Sequence, residues 1–205
     1  MERKRLILGL LLCVAFVFLH MPLTACAAST WDGSSTAPTQ GSGTSGDPYK
    51  IGTAEELAWF AGQVNSGDTG ICAVLTANIK LNDTDKWTDW ATAPPANAWT
   101  PIGNSSANQF AGSFDGNGHT VSGIYISSGD CVGLFGRVGT GGNIRNVRVT
   151  ESYIASSPEA SIYSRGAGVC GQNNRGSING CYNYGTVVGT GNFVGGICAE
   201  NYGTI

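Results

Sequence analysis

The chain has 205 residues, 31 of them Gly and only 25 charged (11 Lys and Arg, 14 Asp and Glu). A hydrophobic share of 41% is too high for a disordered chain, and Gly without a period of three excludes collagen. Setting aside residues 1–27, with three basic and one acidic side chain, leaves 178 residues with 8 basic and 13 acidic groups; a net charge of −5 attracts neither phosphate backbones nor anionic lipid, so no nucleic-acid partner is expected.

Residues 1–27 read as an export signal. Arg3, Lys4 and Arg5 precede an apolar run from Leu6 to Leu19, then Pro22 and small residues. The run of 14 residues is short for a bilayer span. Ala25-Cys26-Ala27 is an A-x-A site and predicts cleavage after Ala27. Leu23-Thr24-Ala25-Cys26 resembles a lipobox, which would instead leave a lipid on Cys26; membrane contact is expected only through one of these two routes. Either route predicts a secreted or cell-surface protein.

Residues 28–48 are rich in Ser, Thr and Gly and predict a flexible spacer, with Trp31 as the exception. From Tyr49 to the end, residues 49–205, an ordered region is expected. Thr53-Ala54-Glu55-Glu56 is a capping box, and Leu57, Phe60, Ala61 and Val64 form one apolar helical stripe ending near Asn65-Ser66-Gly67. Short apolar stretches then read as strands: Val74-Leu75, Ile79 to Leu81, Trp99 to Ile102, Phe110 to Phe114, Thr120-Val121, Ile124 to Ile126 and Val147 to Val149. Residues 82–98 form a polar insertion carrying Trp87 and Trp90.

Internal repetition is the most informative feature. Gly133-Leu134-Phe135-Gly136 to Ile144, Gly168-Val169-Cys170-Gly171 to Ile178, and Gly196-Ile197-Cys198-Ala199 to Ile205 align, with Gly-to-Gly steps of 35 and 28 residues. A unit this small cannot bury its own core and must stack on its neighbours. The expected fold is all-β: a parallel β-helix, or solenoid, of about one coil per repeat. Phe135, Cys170 and Cys198 would form one inward column and Ile144, Ile178 and Ile205 another. Corners of positive φ are expected at Gly185, Gly189, Gly191 and Gly195, and an outer loop over Ser156 to Arg165. The helix would cap the open first coil.

Gly133-Leu134-Phe135-Gly136 resembles the GLUG repeat motif. Asp47-Pro48-Tyr49, Thr53 to Leu57, Leu75 to Leu81, Trp99 to Gly103 and Phe110 to His119 extend the resemblance to GLUG-containing bacterial surface proteins over residues 44–205. The resemblance implies a right-handed β-helix-like module of large exported proteins, including adhesins and some immunoglobulin-A proteases. The chain departs from the pattern in carrying Cys170 and Cys198 where Phe135 stands. Because it stops inside a repeat, a fragment of a longer product is expected.

Little catalytic chemistry is legible. His119 is the single His after residue 27 and lies in an Asp-Gly-Asn-Gly turn. Asp83, Asp85 and Asp89 lack the Gly and Glu of an EF-hand, so no metal site and no cofactor are expected. Five cysteines follow residue 27 at irregular spacing (Cys72, Cys131, Cys170, Cys181 and Cys198) and read as buried thiols acting as small hydrophobes. Trp87 and Trp90, with Tyr182 and Tyr184 alternating on one strand face, are candidate ligand platforms for a host or envelope glycan or protein. The expected function is a non-catalytic, exported structural or adhesion module. The alternatives are a polysaccharide-active β-helix enzyme, glycosidase or lyase, using Asp115 or Asp130, and the non-catalytic part of a larger surface protease.

Overall fold

The computed structural model describes residues 30–157 and 163–205. The elements are β1 (Tyr49–Ile51), α1 (Ala54–Asn65), β2 (Ala73–Leu75), β3 (Ile79–Lys80), a 3-10 turn (Trp87–Asp89), β4 (Ser113–Asp115), β5 (Thr120–Ser122), β6 (Tyr125–Ile126), β7 (Cys131–Val132), β8 (Phe135–Val138), β9 (Asn143–Arg145), β10 (Arg148–Ser156), β11 (Arg165–Ala167), β12 (Cys170–Asn173), β13 (Ser177–Asn179), β14 (Tyr182–Gly189), β15 (Phe193–Gly195) and β16 (Cys198–Asn201). The regular elements among the described residues are thus mostly β-strands, with one α-helix. The expected export signal, Cys26 included, lies outside the described residues.

The strands form four sheets, in the orders β1-β2-β4-β9-β13, β14-β10-β5-β3, β15-β11-β7 and β16-β12-β8, with β6 also paired to β10. The pairs between these strands are parallel. The chain visits the sheets in a fixed rotation: β9, β10, β11 and β12 fall in the four sheets in turn, and β13 to β16 repeat the same order. Phe135, Cys170 and Cys198 are register partners across β8, β12 and β16. Phe114, Ile144 and Ile178 are partners across β4, β9 and β13. Ile205 follows Thr204, which bridges Ser177, but stands 59% exposed rather than buried.

Helix α1 forms where its capping box predicts. The Thr53 hydroxyl accepts the Glu56 amide at 3.2 Å, and the Glu56 carboxylate reaches back to the Gly52 amide at 2.7 Å. Its buried face is Ala54, Leu57, Phe60, Ala61 and Val64. Phe60 meets Phe110 and Phe114 with ring centroids 6.0 and 5.8 Å apart, and both of those rings meet Phe135 at 5.2 Å. This aromatic cluster joins the helix to the sheets. At the helix end, Asn65 accepts the Gly103 and Asn104 amides and donates to the Pro101 carbonyl, which fixes the loop entering β4.

Several expectations are corrected. Residues 30–48 are not a free spacer: Trp31 is 7% exposed, Thr36 donates to the Glu55 carbonyl, and Cys72 donates to that of Gly43. An apolar indole inside a polar segment was enough to dock it. The outer loop is shorter than Ser156 to Arg165, because Ser156 ends β10 and Arg165 begins β11; residues 158–162 lie outside the described residues. Gly185, Gly189, Gly191 and Gly195 are absent from the positive-φ residues, which instead include Gly103, Gly123, Asn117, Asn146 and Glu151. Close approach explains Gly195, where a Cβ would lie 2.1 Å from the Cys198 carbonyl oxygen.

Phe135 is completely buried in the aromatic cluster. Phe135→Ala is expected to lower stability by about 3–5 kcal/mol, read from denaturant unfolding. A loss under about 1 kcal/mol would mean that this cluster does not hold helix and sheets together.

Candidate functional surface

The proposed aromatic platform divides in two. Trp90, just after the 3-10 turn, is 3% exposed and packs edge-on against Tyr125 at 6.0 Å, while Tyr125 stacks on Tyr153 at 6.1 Å. Trp90 therefore closes the outer face of the β6–β10 sheet and is not available to a ligand. Trp87 is half-buried in the 3-10 turn. The polar look of residues 82–98 concealed this, because a sequence gives no sign of which face an insertion folds across.

Tyr182 and Tyr184 remain open, at 51% and 66% exposure. They stand on β14, the end strand of its sheet, beside Arg148 and Thr150 of β10. Alternation along the strand puts both on the outer face, since their intervening partner pair is Asn183 and buried Val149. The rings are nearly parallel, 6° apart, with centroids 6.5 Å apart, and the Arg148 guanidinium lies 6.0 Å from the Tyr182 ring centre. The result is an exposed pair of parallel rings with a cation over Tyr182.

A cleft of about 380 Å³ lies between α1 and the Trp31 segment, lined by Trp31, Ala58, Ala61, Asn65, Trp99 and Asn104. Its indole N–H groups are committed elsewhere: Trp31 donates to the Ser34 carbonyl and Trp99 to that of Leu134. The Asn65 amide is likewise spent on the backbone. This cleft was not legible in the sequence, because it needs Trp31 folded back.

The two candidate acids are each tied to arginine, one in a strand and one in the bend before another. Asp115, in β4, pairs with Arg145 at 2.9 Å; Asp130, before β7, pairs with Arg137 at 3.0 Å and Arg165 at 3.4 Å. Burial pushes the Asp115 carboxyl up, but the Asn117 amide, Arg145 and Asn146 outweigh it and hold it below the ordinary carboxylate value. A group so held keeps its charge and has no proton to give at neutral pH. His119 sits 3.3 Å from the Asn78 amide oxygen beside the Asn117-Gly118 turn, where both residues have positive φ. Asp83 pairs with Lys80, and among the described residues no group of three His, Cys, Asp or Glu has metal-holding geometry.

A second polar ladder crosses three repeats on the β8–β12–β16 side. Arg137 and Arg165 share Asp130, Arg165 also pairs with Glu200, and Gln172 donates to Glu200 at 2.6 Å. Burial pushes the Glu200 carboxyl up; Arg165, Tyr202 and Gln172 reverse this and leave it below its usual value. Among the described residues the free thiols are Cys72, Cys131 and Cys170, all buried, and Cys181 and Cys198, partly buried.

No family model matches the chain. It is 32% identical over 142 residues, 68% of its length, to a protein of Evansella cellulosilytica named "Putative Gly-rich membrane protein". It is 30% identical over 164 residues, 78% of its length, to Halomucin of Haloquadratum walsbyi. The chain spans only 15% and 2% of the length of these two relatives. A crystal structure described as that of a "putative immunoglobulin A1 protease" from Bacteroides ovatus aligns over 80% of this chain and 65% of that one, at 19% identity and a TM-score of 0.45, a likeness too loose to carry an argument. Among the described residues no helix is long and apolar enough to cross a membrane.

Because the folded Glu200 carboxyl is depressed, its contribution to stability is complete above the unfolded value of about 4.3 and is lost as pH falls through the folded value. Glu200→Gln is therefore expected to melt below the parent at neutral pH, with the gap closing on acidification below about pH 4. Thermal melts across that range check this; a gap that stays constant down to about pH 2 would contradict the ionised pairing.

Proposed function

We propose that this chain is an exported, non-catalytic β-solenoid module of a bacterial surface protein, of the GLUG-repeat type, whose outer face offers Tyr182 and Tyr184 to a carbohydrate. The carrying observation is the fixed rotation of the chain through four parallel sheets, with Phe135, Cys170 and Cys198 in one register column. A chain that advances one strand spacing per repeat, about 4.8 Å, builds a rod whose length grows with repeat number and whose outer loops are free to vary. Such a rod suits spacing and display. The printed names of the two relatives, a membrane protein and Halomucin, support a place at the cell surface or outside the cell. The basic, apolar and small-residue order of residues 1–27 supports export, and the pairing of Asp115 and Asp130 with arginines favours display over glycoside chemistry.

Carbohydrate is the preferred ligand because an exposed, nearly parallel tyrosine pair offers apolar faces to pyranose C–H groups while leaving both hydroxyls for hydrogen bonds. Display predicts that the full chain, epitope-tagged and produced in a bacterium, is recovered from the envelope or medium in a form that externally added protease degrades; retention in the cytoplasm would overturn the export reading. The ligand reading is tested with an immobilised panel of envelope and host glycans. The Tyr182→Ala, Tyr184→Ala double variant is expected to bind about tenfold more weakly at an unchanged melting temperature, and equal binding would remove the tyrosines from the ligand surface.

A further inference from the structure

Among the five described cysteines, two stand opposite each other. Cys170 opens β12, Cys198 opens β16, and the two are register partners in a parallel ladder. Neighbouring strands lie about 4.8 Å apart, inside the Cα separation of roughly 4.4–6.8 Å that a disulfide spans. Both side chains lie in the column that begins with Phe135 one repeat earlier. We propose that Cys170 and Cys198 are a redox site: on exposure to a disulfide oxidant they close into a cystine that ties two successive repeats together.

Access orders the chemistry. Cys170 is fully buried and Cys198 is partly exposed, so an external disulfide reaches Cys198 first. The Cys198 thiolate attacks one sulfur of the oxidant, forming a mixed disulfide and releasing one thiolate. Cys170 then gives up its proton and attacks the Cys198 sulfur, expelling the second thiol. Two protein thiols and one disulfide become one cystine and two small thiols, so atoms and electrons balance. The electrostatics agree with that order. A hydrogen bond from Cys170, stronger than the opposing burial, holds the Cys198 thiol below its usual value, whereas burial holds Cys170 well above it.

The third nearby thiol is a poor competitor. Burial pushes Cys131 up to about 12, and its register partner in the neighbouring repeat is Arg165, not a cysteine. The exchange runs backward with a small thiol in excess, so the cystine is a reversible bond. It also has a structural purpose. A Phe buries a large area in this column, and a Cys buries little; a covalent link between the two Cys rungs compensates for the lost packing.

The test uses the full chain treated with glutathione disulfide in excess, then unfolded in denaturant and alkylated. Peptide mass spectrometry is expected to find Cys170 joined to Cys198, with Cys72, Cys131 and Cys181 alkylated. The melting temperature is expected to rise by several degrees and return on adding dithiothreitol. Cys198→Ala should abolish the rise and leave Cys170 as a thiol, while Cys181→Ala should leave it intact. Should Cys198→Ala fail to fold, the mass of the parent chain decides alone. Two free thiols, separate glutathione adducts on each, or a bond from either residue to Cys131 would each overturn the proposal.

Discussion

The structure depends on in-register parallel pairing, which sets like positions of successive repeats directly against one another. Strands about 4.8 Å apart leave no room for an inward side chain to choose its own neighbour. Whatever stands at one rung must pack against the same rung before and after it. That is why Phe114, Ile144 and Ile178 share one column, and why the large rings are gathered where α1 delivers Phe60. The constraint reaches the glycines too. A Cβ on Gly133 would lie 2.8 Å from the Ala167 carbonyl oxygen, and one on Gly136 2.8 Å from that of Gly103, so these motif residues are small because the next strand is close. Their backbone φ is not what requires them.

The same pairing organises the polar groups. Few charges are present, and two ion pairs cross from one repeat to the next, Asp115 with Arg145 and Asp130 with Arg165, while Arg137 joins Asp130 within its own repeat. Asn173, fully buried, donates to Asn201 at 2.8 Å in the next repeat and accepts the Gly176 amide at 2.8 Å, so one side chain satisfies a turn and links two rungs. Exposed ion pairs of this kind add little individually. The Arg165–Glu200 pair is better shielded, with both side chains largely covered, and Gln172 satisfies the same carboxylate. Low charge and high polarity are therefore compatible with an ordered exterior.

Stacking leaves the outer faces of the sheets open, while Asp115 and Asp130 are tied to arginines. Asp115 is held by Arg145, whereas Tyr182 and Tyr184 stand exposed, in contact with each other and with Arg148. The thiols follow a related logic. They replace an aromatic in one column, and their positions, not their number, bring two of them together.

Local and short-range features were readable from residues alone. The capping box and the i, i+3, i+4, i+7 stripe located α1, because helix signals act within one or two turns. The spacing of Gly133, Gly168 and Gly196 aligned Phe135 with Cys170 and Cys198, because a register repeated in space must be repeated in sequence. What depended on distant parts of the chain was not readable. Trp31 docks because Trp99, far along the chain, offers a ring at 6.2 Å; Trp90 is buried because Tyr125 lies beneath it; and Gly112 is small because the Ile71 backbone, from an earlier part of the chain, passes beside it. Burial is a property of the partner as much as of the residue, and only the folded chain brings the partner in.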